Sequence, residues 1–215
     1  MKVRTVDQEE RVLADRGLIA GLIETCSAAI AAHADHLCLL DSAIGDGDHG
    51  TNMKRGFDAL RSESDALSAL PLAQAIERIG VTLVMNVGGA AGPLYGTLLI
   101  EIGRSLGTSG ADTDLPDAFG KAVDAVARRG RALPGDKTLL DVLYPVHAEL
   151  VRHAAPDAIA GRAESAARHT IGMRAMRGRA AYLGDRSIGH IDPGASSCAL
   201  LTSAICRYIE EYRPA

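Results

Sequence analysis

Residues 41–52 read Asp41-Ser-Ala-Ile-Gly-Asp-Gly-Asp-His-Gly-Thr-Asn52, three carboxylates within eight residues, spaced by glycines. What flanks this stretch decides the fold. Upstream, Ala29-Ile30-Ala31-Ala32 belongs to a helical pattern; downstream, Met53, Phe57 and Leu60 share one face of a helix over Thr51–Arg61. The letters Gly45-x-Gly47-x-x-Gly50 spell a dinucleotide fingerprint, but that motif follows a strand, and the loop aspartates would repel a bare pyrophosphate. An EF-hand fails as well, because the twelfth position counted from Asp46 is Phe57 and not Glu. Two readings stay open. The stretch is an acidic solvated turn, or Asp41, Asp46 and Asp48 form a claw for Mg²⁺ with a polyphosphate as the remaining ligand.

Working outward, the segment from about Gln8 to His33 carries Val12, Leu13, Leu18, Ile19, Leu22, Ile23, Cys26 and Ile30 at helical spacing. Thr5 and Gln8 form its capping box. Ala34–Leu40 continues this helix or bends it. His33 and His36, three apart, can chelate a metal or bind the last carbonyls of a helix, and the second reading is preferred. After a connection over Ser62–Leu70, Pro71 opens a third helix to about Val87. Gly88-Gly-Ala-Ala-Gly-Pro-Leu-Tyr-Gly96 ends it and starts a fourth, running to about Leu106. So many glycines either admit a ligand close to the backbone or make a tight turn between helices. Following a turn at Ala111–Leu115, Asp114 caps a fifth helix, Pro116–Arg129. The loop Gly130–Asp136 precedes a sixth, Lys137–Ala154, with a kink expected at Pro145. A seventh runs from Ala155-Pro156 to about Met176. Residues Arg177–Asp192 lack periodicity, are rich in Gly and Arg, and read as a lid. Asp192 and Pro193 then start an eighth helix to Tyr212. Eight helices, no alternating strand pattern and no linker predict one all-α domain over residues 1–215.

Composition agrees. Hydrophobic residues make up 47% but aromatics only 3%, with no Trp, so Ala, Leu, Ile and Val must build the interior, which suits helix packing better than sheets. A net charge of −4 argues against nucleic acid as a partner. Cys26, Cys38, Cys198 and Cys206 form no C-x-x-C pair and read as packing residues. Arg4, Asp7, Glu9, Glu10 and Arg11 interrupt any signal-peptide run, and no uninterrupted apolar stretch reaches membrane-spanning length. The expectation is a cytoplasmic protein with no membrane contact.

Four motifs occur in order: Gly-Asp-Gly-Asp-His-Gly at 45–50, Gly-Gly-Ala-Ala-Gly-Pro-Leu-Tyr-Gly at 88–96, Pro-Gly-Asp-Lys-Thr at 134–138, and Gly-Arg-Ala-Ala-Tyr-Leu-Gly-Asp-Arg-Ser-Ile-Gly-His-Ile-Asp-Pro-Gly at 178–194. Together they resemble the nucleotide-binding L subunits of dihydroxyacetone kinases, from about Gly17 to Tyr208. The resemblance implies an eight-helix antiparallel barrel that binds ADP or ATP at one end. It favours the claw over the solvated turn, with two Mg²⁺ ions on Asp41, Asp46 and Asp48. It places His49, Gly50, Thr51 and Asn52 near the phosphates, and Ala90 and Ala91 against phosphates and ribose. Family members commonly carry Ser where Ala91 stands, so one phosphate hydrogen bond is in question here. Gly130 and Leu139 fall to the base pocket, and Arg179 with Asp192-Pro193-Gly194 to a closing loop. Phosphoryl transfer asks chiefly for positioning and charge neutralisation, so Asp41, Asp46, Asp48 and Arg179 are the expected catalytic set.

No nucleophile or pocket for a three-carbon ketone is evident in the sequence. The resemblance implies that a His on a separate dihydroxyacetone-binding K subunit holds it. In phosphotransferase-dependent systems a phosphohistidine protein recharges the retained ADP, whereas in fused enzymes ATP is an exchanging substrate; a free-standing chain of this length looks more like the first type, and the sequence leaves both modes open. The alternatives are a nucleotide-loaded regulatory binding protein, or a kinase subunit for another short ketose or a non-sugar acceptor such as a fatty acid.

Overall fold

The computed structural model describes residues 6–108 and 114–212, with side chains for 16–107 and 114–212. The Thr5–Gln8 capping pair and most of the 111–115 turn lie outside the described residues. Among the described residues there are nine α-helices and no strand: α1 (Val6–Ile44), α2 (His49–Ser62), α3 (Ser64–Ser68), α4 (Leu72–Asn86), α5 (Ala91–Thr108), α6 (Leu115–Gly130), α7 (Leu140–Val151), α8 (Pro156–His169) and α9 (Pro193–Glu211). Each long helix packs on its predecessor in the chain, α2 passes to α4 across the short α3, and α9 returns to α1. The eight long helices therefore close the antiparallel barrel that was expected. The short α3 lies where the sequence suggests only a connection, and it buries Leu67.

Helix α1 does not bend after His33. It runs on to Ile44, and the His33 ring pairs through Nδ1 with the Ala29 carbonyl at 2.9 Å inside the helix. Its core face is Ile19, Ile23, Cys26, Ile30 and Leu37, the 3/4 spacing of a helix facing a core on one side. Arg16–Ile44 is long and apolar enough to cross a membrane by length and composition alone, with a window mean hydropathy of 1.4, although Glu24, Asp35 and Asp41 interrupt its apolar run, as expected from the sequence. In the fold that apolar face is spent on α2, α3 and α9.

Small residues allow the close spacing. Ala75, Ala118, Ala122, Ala163 and Ala195 are all fully buried. Helices α4 and α5 meet backbone to backbone at Gly80, where a Cβ would stand 2.8 Å from the Gly96 carbonyl oxygen. Side-chain caps fall where the sequence puts them: Asp114 accepts the Asp117 N–H at 3.0 Å and Asp192 the Ala195 N–H at 2.7 Å.

Two boundaries differ from expectation. Helix α7 begins at Leu140 and not Lys137, because residues 131–139 form a loop. Helix α8 stops at His169 and not near Met176. There the Thr170 hydroxyl donates to the Ala167 carbonyl at 2.6 Å and accepts the Asp192 N–H at 3.0 Å, which ties the end of α8 to the start of α9. The connections 45–48, 87–90, 131–139 and 170–192 consequently gather at one end of the barrel.

The core reading gives a contrast within one helix. Ile30→Ala should cost about 3 kcal/mol of unfolding free energy, while Leu39→Ala, at a position 68% exposed, should stay within about 0.5 kcal/mol; urea denaturation of both variants checks this.

Candidate functional site

Asp41 sits in the last turn of α1, and the chain then reverses through Gly47, whose φ of 79° is left-handed. The reversal folds the start of α2 back over the Asp41 carboxylate. Its Oδ2 accepts the N–H of Asp48 at 3.0 Å and of His49 at 3.2 Å. Asp41 is buried and fixed by these bonds, whereas Asp46 and Asp48 are exposed; one oxygen from each of the three lies within 4.8 Å of the others. Three carboxylates at that spacing call for a cation. The arrangement already holds one, since Arg179 of the loop before α9 forms an ion pair with Asp46. An all-oxygen donor set with one fixed and two adjustable carboxylates fits Mg²⁺.

The aspartates line a recess of about 160 Å³ together with His49, Asn52, Gly88, Gly89, Ala90, Ala91, Arg179, Asp192 and Pro193. Asn52 Oδ1 accepts a bond from Arg55 at 3.0 Å, leaving its NH₂ as the group with protons to give. Gly88 and Gly89 bring the chain to the first residue of α5 with Ala90 and Ala91 at the edge, where helix N–H groups suit an anion. Gly50 and Thr51 stand outside the lining of the recess. A Cβ on Gly50 would overlap the Ala34 carbonyl oxygen, so this glycine serves the contact of α2 with α1. Thr51 turns to Cys38, whose sulfur accepts the Thr51 N–H at 3.3 Å and lies 3.4 Å from its hydroxyl. With the His49 amide on Asp41, two of the α2 donors expected for phosphate are already engaged.

The recess opens into a cleft of about 780 Å³, sharing His49, Ala90, Ala91 and Asp192 with it. Its apolar walls are Leu94, Val126, Ala132, Leu139 and Leu140, with Gly130 and Gly194 at the side. The volume suits a small-molecule ligand. An acidic recess beside an apolar cleft is the shape for metal-bound phosphates at one end and a base at the other.

The DAK2 domain profile matches residues 43–207. The chain belongs to the DAK2 domain family. It is 37% identical over 206 residues to the ADP-binding subunit DhaL of the PEP-dependent dihydroxyacetone kinase of Escherichia coli (strain K12), covering 91% of this chain and 98% of that one. It is 40% identical over 167 residues to the corresponding ADP-binding subunit of dihydroxyacetone kinase 1 of Listeria innocua, 77% of this chain and 83% of that one. The dihydroxyacetone kinase of C. freundii, solved with AMP-PNP and Mg²⁺, superposes with a TM-score of 0.73 at 26% identity. The match covers 89% of this chain but only 34% of that longer one.

This DAK2 domain also holds site residues to which the sequence reading gave no role. The His49 Nε2 and Ser197 Oγ lie 2.9 Å apart, and Ser197 Oγ lies 2.8 Å from the Tyr95 hydroxyl, linking α2, α9 and α5 behind the recess. Burial lowers the His49 pKa against the pull of Asp41 and Asp48, and burial raises the Tyr95 pKa well above its usual value. Tyr95 stands inside the Gly88–Gly96 motif, so a signal existed; Ser197 carried none. Asp141, buried, accepts the N–H groups of Gly135 at 2.5 Å and Thr138 at 2.7 Å and so shapes the 131–139 loop. Lys137 of that loop is wholly buried with its ammonium on backbone carbonyls.

Asp192 gives the site a pH dependence. Burial raises its pKa from 3.8 to about 7; the Ala195 N–H opposes the shift and Asp141 adds to it. The folded, metal-free protein thus keeps a proton that the unfolded chain has released. Stability from this group is full below about pH 4 and is lost as the pH rises to about 7. Asp192→Asn keeps the cap without the charge. Its thermal advantage over the metal-free parent should therefore grow between pH 4 and 7, by at most about 1.4 kcal/mol per unit, and level off above. Melting temperatures across that range check the sign.

Proposed function

We propose that this chain is the ADP-binding, phosphoryl-transferring subunit of a dihydroxyacetone kinase. It passes phosphate from a Mg²⁺-bound nucleotide to dihydroxyacetone held on a separate K subunit, and a phosphohistidine protein of the phosphotransferase type recharges the ADP. The observation that carries this reading is the convergence of Asp41, Asp46 and Asp48 beside a base-sized cleft, in a chain aligned over 98% of an ADP-binding kinase subunit. A cytoplasmic location goes with it, where adenine nucleotides and Mg²⁺ are abundant.

In this reading Asp41, Asp46 and Asp48 hold two Mg²⁺ ions, which when bound neutralise the polyphosphate and orient it for in-line transfer. The remaining work belongs to the chain. The His49 and Asp48 amides keep Asp41 in one rotamer, so the first ligand is pre-oriented. Asn52 and the start of α5 at Ala90 and Ala91 offer donors to the non-bridging oxygens, with no side-chain hydroxyl at 91. Leu139 and Gly130 bracket the base. Arg179 closes from the lid and contacts the transferring phosphoryl, a charge-assisted bond that neutral donors cannot match. Asp192, Pro193 and Gly194 at the start of α9 complete the closure.

Asp46→Asn should abolish Mg²⁺-dependent ADP retention while circular dichroism keeps its helical signal; retention of ADP in excess chelator would contradict the assignment. The parent protein, mixed with purified K subunit, dihydroxyacetone and a phosphoryl donor, should yield dihydroxyacetone phosphate. If no donor gives a sugar phosphate, a nucleotide-loaded regulatory role replaces this one.

A further inference from the structure

The segment 173–192 is tied down at both of its ends, and one side chain joins those two ends to each other. Lys137 is 1% exposed, and its ammonium donates to the carbonyl oxygens of Ser187 at 2.6 Å, His190 at 2.6 Å and Met173 at 3.1 Å. An ammonium has three protons, so all of its donors are used on backbone. The three carbonyls bracket residues 178–186 of the lid, one before them and two after them.

The same loop grips the lid twice more: the Asp136 carbonyl accepts the Met176 N–H at 3.0 Å and the Asp136 carboxylate pairs with Arg177 at 3.2 Å. Lys137 itself sits at φ 61°, a left-handed conformation that a side-chain-bearing residue keeps only where its surroundings demand it. Burial lowers its pKa and the nearby Asp192 charge raises it. Two residues further on, Leu139 forms the wall of the apolar cleft. Between the clamped ends lies a short tip. It starts at Gly178 with φ 66°, carries Arg179, exposes Tyr182 to 90%, and kinks at Gly184 with φ 57°.

We infer that Lys137 is a positioning residue that fuses the base of the lid to the loop walling the nucleobase cleft, so that only the tip over 178–186 moves and Arg179 is aimed from a fixed platform. This rests on the reading of the cleft as a nucleotide site with Arg179 at its phosphoryl end.

Two measurements test it. In the parent protein, amide hydrogen exchange should be slow at 173–177 and 187–190 and fast at 178–186. Uniformly fast exchange across the segment overturns the clamp, whatever any variant does. In the complex with the K subunit, Lys137→Met should lower kcat about 10- to 100-fold while Mg²⁺-ADP affinity stays near that of the parent. Added to Arg179→Ala, it should cost nothing further. A loss in the Arg179→Ala background equal to that in the parent shows a merely structural role and overturns the inference. If Arg179→Ala turns over like the parent, the phosphoryl contact is wrong and the positioning role falls with it, while the exchange map still reports whether the clamp exists.

Discussion

Three carboxylates whose oxygens lie within 4.8 Å of one another dictate the arrangement of one whole end of this barrel. Their repulsion has to be met locally, because the protein as a whole carries a net charge of −4. The fold meets it with partial charges and one full one. Two amides at the start of α2 turn to Asp41, and Arg179 lies on Asp46. The N-terminus of α5 ends at the same recess, where its dipole is positive. Even so, the neighbouring acid is affected: Asp192 is pushed to about 7, chiefly by burial, with Asp41 among the charges that add to the shift. An assembly this acidic suits divalent cations, and a bound polyphosphate is the anion that such cations would attract.

The barrel makes that end possible. Because the helices alternate in direction, every second connection falls at the same rim, and the four at this rim carry nearly all the glycine-rich motifs. Alanines and glycines in the walls keep the helices close, so the rim is narrow enough for residues from α1, α5, α9 and the lid to face one recess.

Much of this could be read from the chain, for a local reason. Helix starts announce themselves through caps such as Asp114 and Asp192 and prolines such as Pro156 and Pro193, signals confined to a few residues. The Asp41–Asp48 spacing likewise forces proximity without any tertiary knowledge. What escaped reading is decided at long range. Helix α8 ends early because Thr170 bonds to Asp192, twenty-two residues away. Gly50 reads the same whether it faces a phosphate or, as it does, another helix. Thr51 faces Cys38, thirteen residues back, and no local pattern shows that. Nothing in the sequence neighbours of Lys137 shows that three carbonyls from distant segments will enclose its ammonium.

The most direct examination of the central claim is a crystal soaked with Mn²⁺ and ADP, with the metal located by its anomalous scattering. Metal peaks enclosed by Asp41, Asp46 and Asp48, with the ADP phosphates on them and the base against Leu139, are the predicted result. Peaks elsewhere, with those three side chains turned apart into solvent and the nucleotide outside the cleft, would contradict the account.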